Sequence, residues 1–554
     1  MKYSNYKALN IFIYVSAALA LIATFISIGS GVYLRKTIDK AIVENDSLPY
    51  KIEYGALYVN LLTASVCATD ILIDSKSDSG TNNINIRAAS ITLSGINFFK
   101  YLSNKSLSAS HVTIEHPYVH LSNFDTTQVK KDSTKEINLY TTLHQNGLTD
   151  FKLGTFRIEH GEIKVSSKDT TDLLLTIRDV NYELHDILID STLIRSEKRF
   201  NAGEMNASIN GIQGHFLKGL YAFQVPALRL SGKNNILTVD SILLHPSVKK
   251  EKFATQLGHQ SDCVQLKLID LKIHSAAFTD IILLGSVLLD QIEIGSFILH
   301  DYRDKNIARA PGVKPLPREM LLDLSFPLTI REIILADGDI TYEELAEGAT
   351  ESGSLNISKI KGSATGISNV EMEKSDTMQV EGTGLLMNQA TVGTHVSFLL
   401  AENKFFTSMN MESYDMKILN PMIKNFAPME ISKGNAKRMQ MWCAADNVKG
   451  TGQMTFVYSD LEVKSLEDKN SSEVINGLKN FIANEIILVQ ENPKNDVLRV
   501  GKIDYTRDPE RNIINYSWNL TFSGFKSSIG LEEEKLNKPA NADLSHQKSR
   551  LAKK

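Results

Sequence analysis

Four acids crowd one short stretch of the chain, FPLTIREIILADGDITYEE at 326–344: Asp337, Asp339, Glu343 and Glu344. Carboxylates held close together can divide acid and base roles in glycoside hydrolysis, or ligate a calcium ion. Taken alone, the stretch reads as a strand, a turn at ADGD and a second strand. The spacing of a calcium loop, DxDxDG, is absent. Related stretches keep one acid at the same place (HGEI, 160–163) or none (HPYV, 116–119; GSFI, 295–298). The acids are therefore read as solvated turn residues.

Other residues with chemical potential lead no further. His111, His116 and His120 lie five and four apart, and on an extended strand that spacing does not gather them on one face. Cys67, Cys263 and Cys443 are scattered, with no CxxC pair, so neither a disulfide framework nor a zinc site is expected. No GxSxG, HExxH, GxGxxG or P-loop is present, and VGKI (500–503) has only a Gly-Lys pair. The residues point to no catalytic group, no metal and no cofactor: the chain is read as not an enzyme.

The elements that hold these residues carry more information. The chain has 554 residues, 60 basic and 64 acidic, for a net charge of -4, a balance that argues against a nucleic-acid binder. From Ala8 to Leu34 no residue is charged, and Arg35 and Lys36 close the run. About 20 apolar residues cross a bilayer core, so 1–36 is read as an uncleaved single-pass anchor. A signal peptide, with its shorter apolar region, is the alternative. Lys2 and Lys7 before the run, against Arg35, Lys36 and Lys40 after it, leave orientation open.

Beyond the anchor the periodicity is that of strands, in two recurring patterns. The first has apolar or small residues in steps of 3, 2, 3, 2, 2: Ile330, Ile333, Leu335, Gly338, Ile340 and Tyr342. It recurs at Leu153, Phe156, Ile158, Gly161, Ile163 and Val165, and at Ala109, Val112, Ile114, Pro117, Val119 and Leu121. A degraded copy runs through Leu289, Ile292, Ile294, Phe297 and Leu299, then has Asp301 where an apolar residue is due. The second pattern steps by 2, 3, 2, 2, 3. It runs from Ile84 through Ile86, Ala89, Ile91, Leu93 and Ile96, and from Leu175 through Ile177, Val180, Tyr182, Leu184 and Ile187. It returns at Leu266, Leu268, Leu271, Ile273, Ser275 and Phe278, and at Leu355, Ile357, Ile360, Gly362, Ala364 and Ile367. Starts at 84, 109, 153 and 175 match starts at 266, 289, 330 and 355, with offsets of 182, 180, 177 and 180, so an internal duplication is expected. A step of two stays on one face of a strand and a step of three changes face, which calls for a β-bulge or a turn.

The expected fold is mainly β: an N-terminal transmembrane helix, then a long, curved antiparallel β-sheet with short C-terminal helices. The expected division is 1–36 anchor, 37–187 first block, 188–265 connecting β segment and 266–367 second block. There follow 368–470 as a C-terminal β segment, 471–531 as a C-terminal cap, and 532–554 as a charged tail without structure. Roughly 25 to 30 strands at about 4.8 Å would reach on the order of 120 to 140 Å. Helical spacing is read in 471–486 and again at Ile514, Trp518, Phe522, Phe525 and Ile529. That last stripe, with Trp518, Phe522, Phe525 and Ile529 as its candidate contacts, either caps the sheet or touches a membrane or partner.

Three stretches, LTIREIILADGDITYEEL, LDQIEIGSFILHDYRDK and RVGKIDYTRDPERNIINYSWNLTFSGFKSSIG, together with the anchor, resemble the AsmA-like proteins of diderm bacteria, in particular their DUF748-type relatives. The resemblance implies a repeating β-groove, a single-pass place in the bacterial inner membrane with the bulk of the chain in the periplasm, and guidance of phospholipid toward the outer membrane. The copies at 109 and 289 depart from the pattern at Pro117 and Phe297, where the others have glycine. Candidates to line a groove are Ile91, Leu93, Val112, Ile114, Phe156, Ile158, Ile163, Tyr182, Leu184, Ile273, Ile292, Ile294, Ile333, Leu335, Ile340 and Tyr342. The implied partners are phospholipid, the inner membrane and an outer-membrane or periplasmic protein, with no nucleic acid. The alternative is an envelope scaffold or assembly factor that carries no lipid. Whether the apolar face meets lipid or side chains is left open by periodicity.

Overall fold

The computed structural model describes residues 50–60, 63–76, 83–124, 139–145, 147–167, 174–196, 198, 200–276, 278–370, 376–426, 429–466 and 490–530. The proposed anchor (1–36), the helical spacing at 471–486 and the tail (532–554) lie outside the described residues. Within them no helix is long and apolar enough to cross a membrane.

The protein is mainly β, with 25 strands among the described residues. In chain order they begin with β1 (Tyr50–Glu53), β2 (Leu57–Asn60), β3 (Ser65–Ser75), β4 (Asn83–Ser94), β5 (Ser106–Glu115), β6 (Tyr118–Phe124), β7 (Asp150–Ser167) and β8 (Leu174–Ile189). Then come β9 (Met205–Ile209), β10 (Ile212–Phe216), β11 (Tyr221–Val225), β12 (Leu228–Ser231), β13 (Ile236–Pro246), β14 (Cys263–His274), β15 (Val287–Asp304) and β16 (Leu328–Leu335). The rest are β17 (Gly338–Leu345), β18 (Gly353–Ser368), β19 (Thr377–Leu386), β20 (Ala390–Leu399), β21 (Lys404–Met411), β22 (Tyr414–Asp415), β23 (Met429–Ala445), β24 (Lys449–Ser465) and β25 (Val500–Thr506).

The chain forms two compact units. The first takes the chain up to Lys249 with Val264–Phe297 and Leu324–Ile334; the second takes Lys250–Cys263, Ile298–Asp323 and the chain from Leu335 onward. Each has its own apolar core. In the first, Ile73, Ile86, Leu107, Ile114 and Leu148 are among the most deeply buried side chains; in the second, Phe405, Phe456, Tyr458 and Tyr516 are.

Among the registers resolved within each unit, two are not antiparallel. β5 and β6 both run parallel to β7, from Ser106 opposite Asp150 to Leu121 opposite Val165. A parallel pair needs a long crossover, and the stretch from Phe124 to Asp150, which contains the helix Leu139–Gln145, supplies it. The other registers resolved in both units are antiparallel, as in β7 with β8 and β23 with β24.

One buried side chain fastens the final strands. Asn492 donates from Nδ2 to the carbonyls of Phe456 (2.6 Å) and Arg499 (2.9 Å), and its Oδ1 accepts from Arg499 N (2.8 Å). Asn492→Ala strands these backbone groups inside the second unit. The expected loss is about 2–4 kcal/mol, read as a lower urea midpoint at unchanged slope. A midpoint equal to that of the parent chain would contradict it.

Candidate functional site: apolar rows and their polar interruption

The two sequence patterns turn out to be neighbours in the sheet. The copies beginning at Ala109 and Leu153 pair residue for residue: Ala109 with Leu153, Val112 with Phe156, Ile114 with Ile158, Val119 with Ile163, and Leu121 with Val165. The second pattern then pairs with the first across β7 and β8, joining Leu153–Ile187, Phe156–Leu184, Ile158–Tyr182, Gly161–Val180, Ile163–Ile177 and Val165–Leu175. In the second unit Ile340 pairs with Ile357 and Tyr342 with Leu355, the counterparts of Ile163–Ile177 and Val165–Leu175.

Several steps of three have a common cause. His116, His160, Asp179, Asp186 and Lys359 hold positive φ, at 47°, 54°, 48°, 51° and 53°, and Gly366 holds 72°. Each lies inside a step of three, and the register of β7–β8 shifts beside Gly161 while that of β18–β19 shifts between Ser358 and Lys361. One left-handed residue per step turns the following side chains to the other face, as a bulge does. Asp179 and Lys359, like Asp186 and Gly366, are 180 residues apart, so the bend recurs at the offset of the sequence patterns. The copy at Ile84 differs from expectation: Ala89 is exposed and Ala88 takes the buried place, because β3 and β4 keep constant register through this stretch.

Directly opposed residues share a face, so these pairings build apolar rows. One row crosses ten strands of the first unit: Leu57, Ala68, Ile91, Ile114, Ile158, Tyr182, Ala207, Leu230, Leu237 and Ile273. Beside it run Val66, Leu93, Val112, Phe156, Leu184 and Met205. Burial varies along them. Ile91, Leu93, Val112, Ile114, Phe156 and Leu184 are sealed in the core, whereas Ile158, Ile163, Tyr182, Ile273 and Ile292 are half-buried against it. Ile294 and Ile333 are half-buried outside that cluster. Leu335, Ile340 and Tyr342 are half-buried in the second unit.

The second unit interrupts its apolar face with charge, and here the reading of the acids needs correction. Glu344 is not solvated: it is 3 % exposed, pairs with Lys305 Nζ at 2.7 Å and accepts from Tyr342 Oη at 2.6 Å. Glu343, on the opposite face, meets Lys250 at 2.5 Å. Spacing at a turn says nothing of the cations that segments distant in sequence bring to it. Nearby, Arg303 donates to both oxygens of Asp262, at 2.5 and 2.7 Å. Asp301, two residues along β15, has an Oδ1 shut off from solvent that accepts no hydrogen bond from any described residue. Burial, reinforced by Asp262 and opposed by Arg303, raises its carboxyl to about 7. Burial also pushes the Tyr342 phenol far above its usual range.

The C-terminal apolar stripe divides. The helix Ile513–Ser528 is present, but Ile514 (75 % exposed), Trp518 (48 %) and Phe522 (45 %) face outward, Phe525 packs on Phe456, and Ile529 is buried. The seated face carries Tyr516, Leu520, Ser523, Gly524 and Ser528, and it lies against β25 and β24. Ser527 and Ser523 hydroxyls accept from the N–H groups of Lys502 (2.9 Å) and Asp504 (3.1 Å), so the helix covers the edge of β25 facing away from β24. A search for apolar periodicity overlooks such a face of small residues; the cluster Ser523, Gly524, Ser527 and Ser528 is its only trace in the sequence.

The histidines do not gather: His116 stacks on His160 with ring centres 5.2 Å apart, and His160 meets Asp179 at 2.9 Å. Among the described residues no group of three or more His, Cys, Asp or Glu is placed to hold a metal. The three thiols are unbonded, and burial pushes Cys443 up to about 12. No protein-family model matches the chain, and no curated protein matches it.

Proposed function

We propose that this chain is an inner-membrane-anchored periplasmic protein, of the AsmA-like, DUF748-type group, that binds phospholipid and guides it along the apolar face of a β-groove in support of outer-membrane biogenesis. It performs no covalent chemistry. The proposed architecture is a transmembrane helix within 1–36 followed by a sheet that curves into a repeating groove and ends in short helices. The observation that carries the reading is the apolar row from Leu57 to Ile273, ten strands wide and only half-buried beyond Ile114 at Ile158, Tyr182, Leu230, Leu237 and Ile273. A closed core of that width would bury its members, as Ala68, Ile91 and Ile114 are buried.

The energetics favour such a surface for acyl chains. Moving a 16-carbon chain through water costs about 12 kcal/mol at about 0.8 kcal/mol per CH₂. An apolar row removes most of that barrier, while headgroups remain in solvent. The recurrent bulges supply the bending that such a trough needs. A scaffold without lipid is the second reading, favoured by the sealed positions Ile91, Leu93, Val112 and Ile114, which pack as an ordinary core.

Purification of the full chain followed by organic extraction and mass spectrometry separates the two. Co-purifying phospholipid in stoichiometric amount is the expected result. A lipid-free chain that also fails to take up phospholipid from vesicles would leave only the scaffold.

A further inference from the structure

Asp301 occupies the last place of a pattern that every other copy fills with an apolar residue: Tyr342, Val165 or Leu121. Its Oδ1 is enclosed and accepts no hydrogen bond from any described residue. Arg303, the nearest cation on its own strand, is committed to Asp262, which directly precedes β14. The charged and titratable groups that act on it are Asp262 and Cys263 from that segment and Arg303 from its own strand; Tyr342 from β17 and Arg511 from the turn before the C-terminal helix act in turn on Arg303. Lys305 is engaged by Glu344, Tyr342 donates to Glu344, and Arg511 reaches Gln260 at 3.4 Å. This arrangement leaves Asp301 facing the Asp262 carboxylate, with Arg303 within its field but hydrogen-bonded to Asp262.

We propose that Asp301 is a proton-operated latch on the apolar face of the second unit: protonated, it is neutral and leaves the Asp262–Arg303 clasp shut; ionised, it competes with Asp262 for Arg303 and loosens residues 258–263 from the end of β15. The clasp holds that segment to 303–308, together with Gln260, whose Nε2 donates to Asp304 O at 3.0 Å and whose N donates to Ala308 O at 2.7 Å. Because the folded carboxyl titrates near 7 against an ordinary value of 3.8, the folded form holds the proton more tightly. The stabilisation is complete below about pH 4 and is lost as pH rises to about 7. In consequence, and resting on the lipid reading above, an ionised Asp301 opposes the passage of an acyl chain and a protonated one permits it.

The test is hydrogen exchange on the full chain in mild detergent at pH 5 and pH 8, with rates corrected for intrinsic chemistry. In peptides covering 258–263 and 298–309, protection should fall at least about tenfold at pH 8. Peptides covering 500–506 should not change. Asp301→Asn should abolish the difference. Asp262→Asn, which frees Arg303 to hold Asp301 ionised, should abolish it too, and Asp301→Leu serves if the asparagine variant folds poorly. Equal pH responses in the parent chain and in Asp301→Asn overturn the latch, as does no response in the parent.

A second arm follows transfer of fluorescently labelled phosphatidylethanolamine from loaded protein to phosphatidylcholine vesicles. Transfer should be several-fold faster at pH 5 than at pH 8 in the parent and fast at both in Asp301→Asn. If neither protein takes up lipid while the exchange results hold, the lipid reading fails and the latch stands. If both proteins transfer lipid with the same pH profile, control of lipid passage by the latch is overturned and the lipid reading stands.

Discussion

Ile114→Asp is expected to prevent the first unit from folding, whereas the same change at Ile158 or Ile333 should leave the fold standing and, on the proposed lipid reading, abolish lipid loading. Ile114 is 0 % exposed and sits between Ile91 and Ile158 in the long row, opposite both in register. A carboxylate there has no described cation beside it. It either pays several kcal/mol in desolvation or shifts its pKa to stay neutral, on top of about 2–3 kcal/mol of lost apolar burial. That total rivals the 5–15 kcal/mol of a typical domain. Ile158 and Ile333 are half-buried, so a carboxylate at either keeps part of its hydration while still putting charge on the surface that acyl chains would touch. Circular dichroism and limited proteolysis read the first effect, and lipid extraction reads the second. Full lipid loading in a folded Ile158→Asp or Ile333→Asp chain would remove those positions from the groove, and native-like melting of Ile114→Asp would contradict the core assignment.

Gly501→Val is expected to lift the C-terminal helix from β25. A Cβ at Gly501 would stand 2.2 Å from Ser528 Oγ, 2.4 Å from Gly524 O and 2.7 Å from Ser528 N. Two of these atoms are helix backbone, so no side-chain rotation relieves the contact. Displacing the helix exposes Tyr516 and Leu520 and removes the hydroxyl partners of Lys502 N and Asp504 N. The expected cost is about 3–5 kcal/mol, together with self-association through the uncovered strand edge. Thermal unfolding with size-exclusion chromatography measures both. Ser527→Ala, which removes one hydrogen bond without a clash, should cost only about 1 kcal/mol and leave the chain monomeric or in its parent state. A Gly501→Val chain that melts and elutes like the parent would mean that the helix does not depend on close approach.

The spacing of apolar residues was a good guide to what lies beside what. The pattern copies at 109, 153 and 175 proved to be consecutive neighbours in β5–β6, β7 and β8, and several of the steps of three coincide with left-handed residues such as His160 and Asp179. The reason is local: side-chain alternation is a property of the strand backbone, and a change of face needs one residue in an unusual conformation. The mainly β character and the amphipathic helix after Asn512 follow from the same periodicities.

Tertiary structure decided matters that periodicity does not encode. Steps of two and three do not distinguish a parallel neighbour from an antiparallel one; the crossover before β7 does. An apolar position reads alike whether it is sealed, as Ile114 is, or half-buried, as Ile158 is, because burial depends on what packs above it. The C-terminal helix turned Ile514, Trp518 and Phe522 outward because Gly524, Ser523 and Ser528 allow closer approach to β25 than large side chains would. The acids of the ADGDITYEE stretch were named by sequence, but their charge environment was not. Lys305 and Lys250 reach Glu344 and Glu343 only once the chain has folded. Sequence by itself therefore determined which side chains share a face, and the fold decided which of them meet solvent, a core or a counter-charge, since electrostatics and packing act through space rather than along the chain.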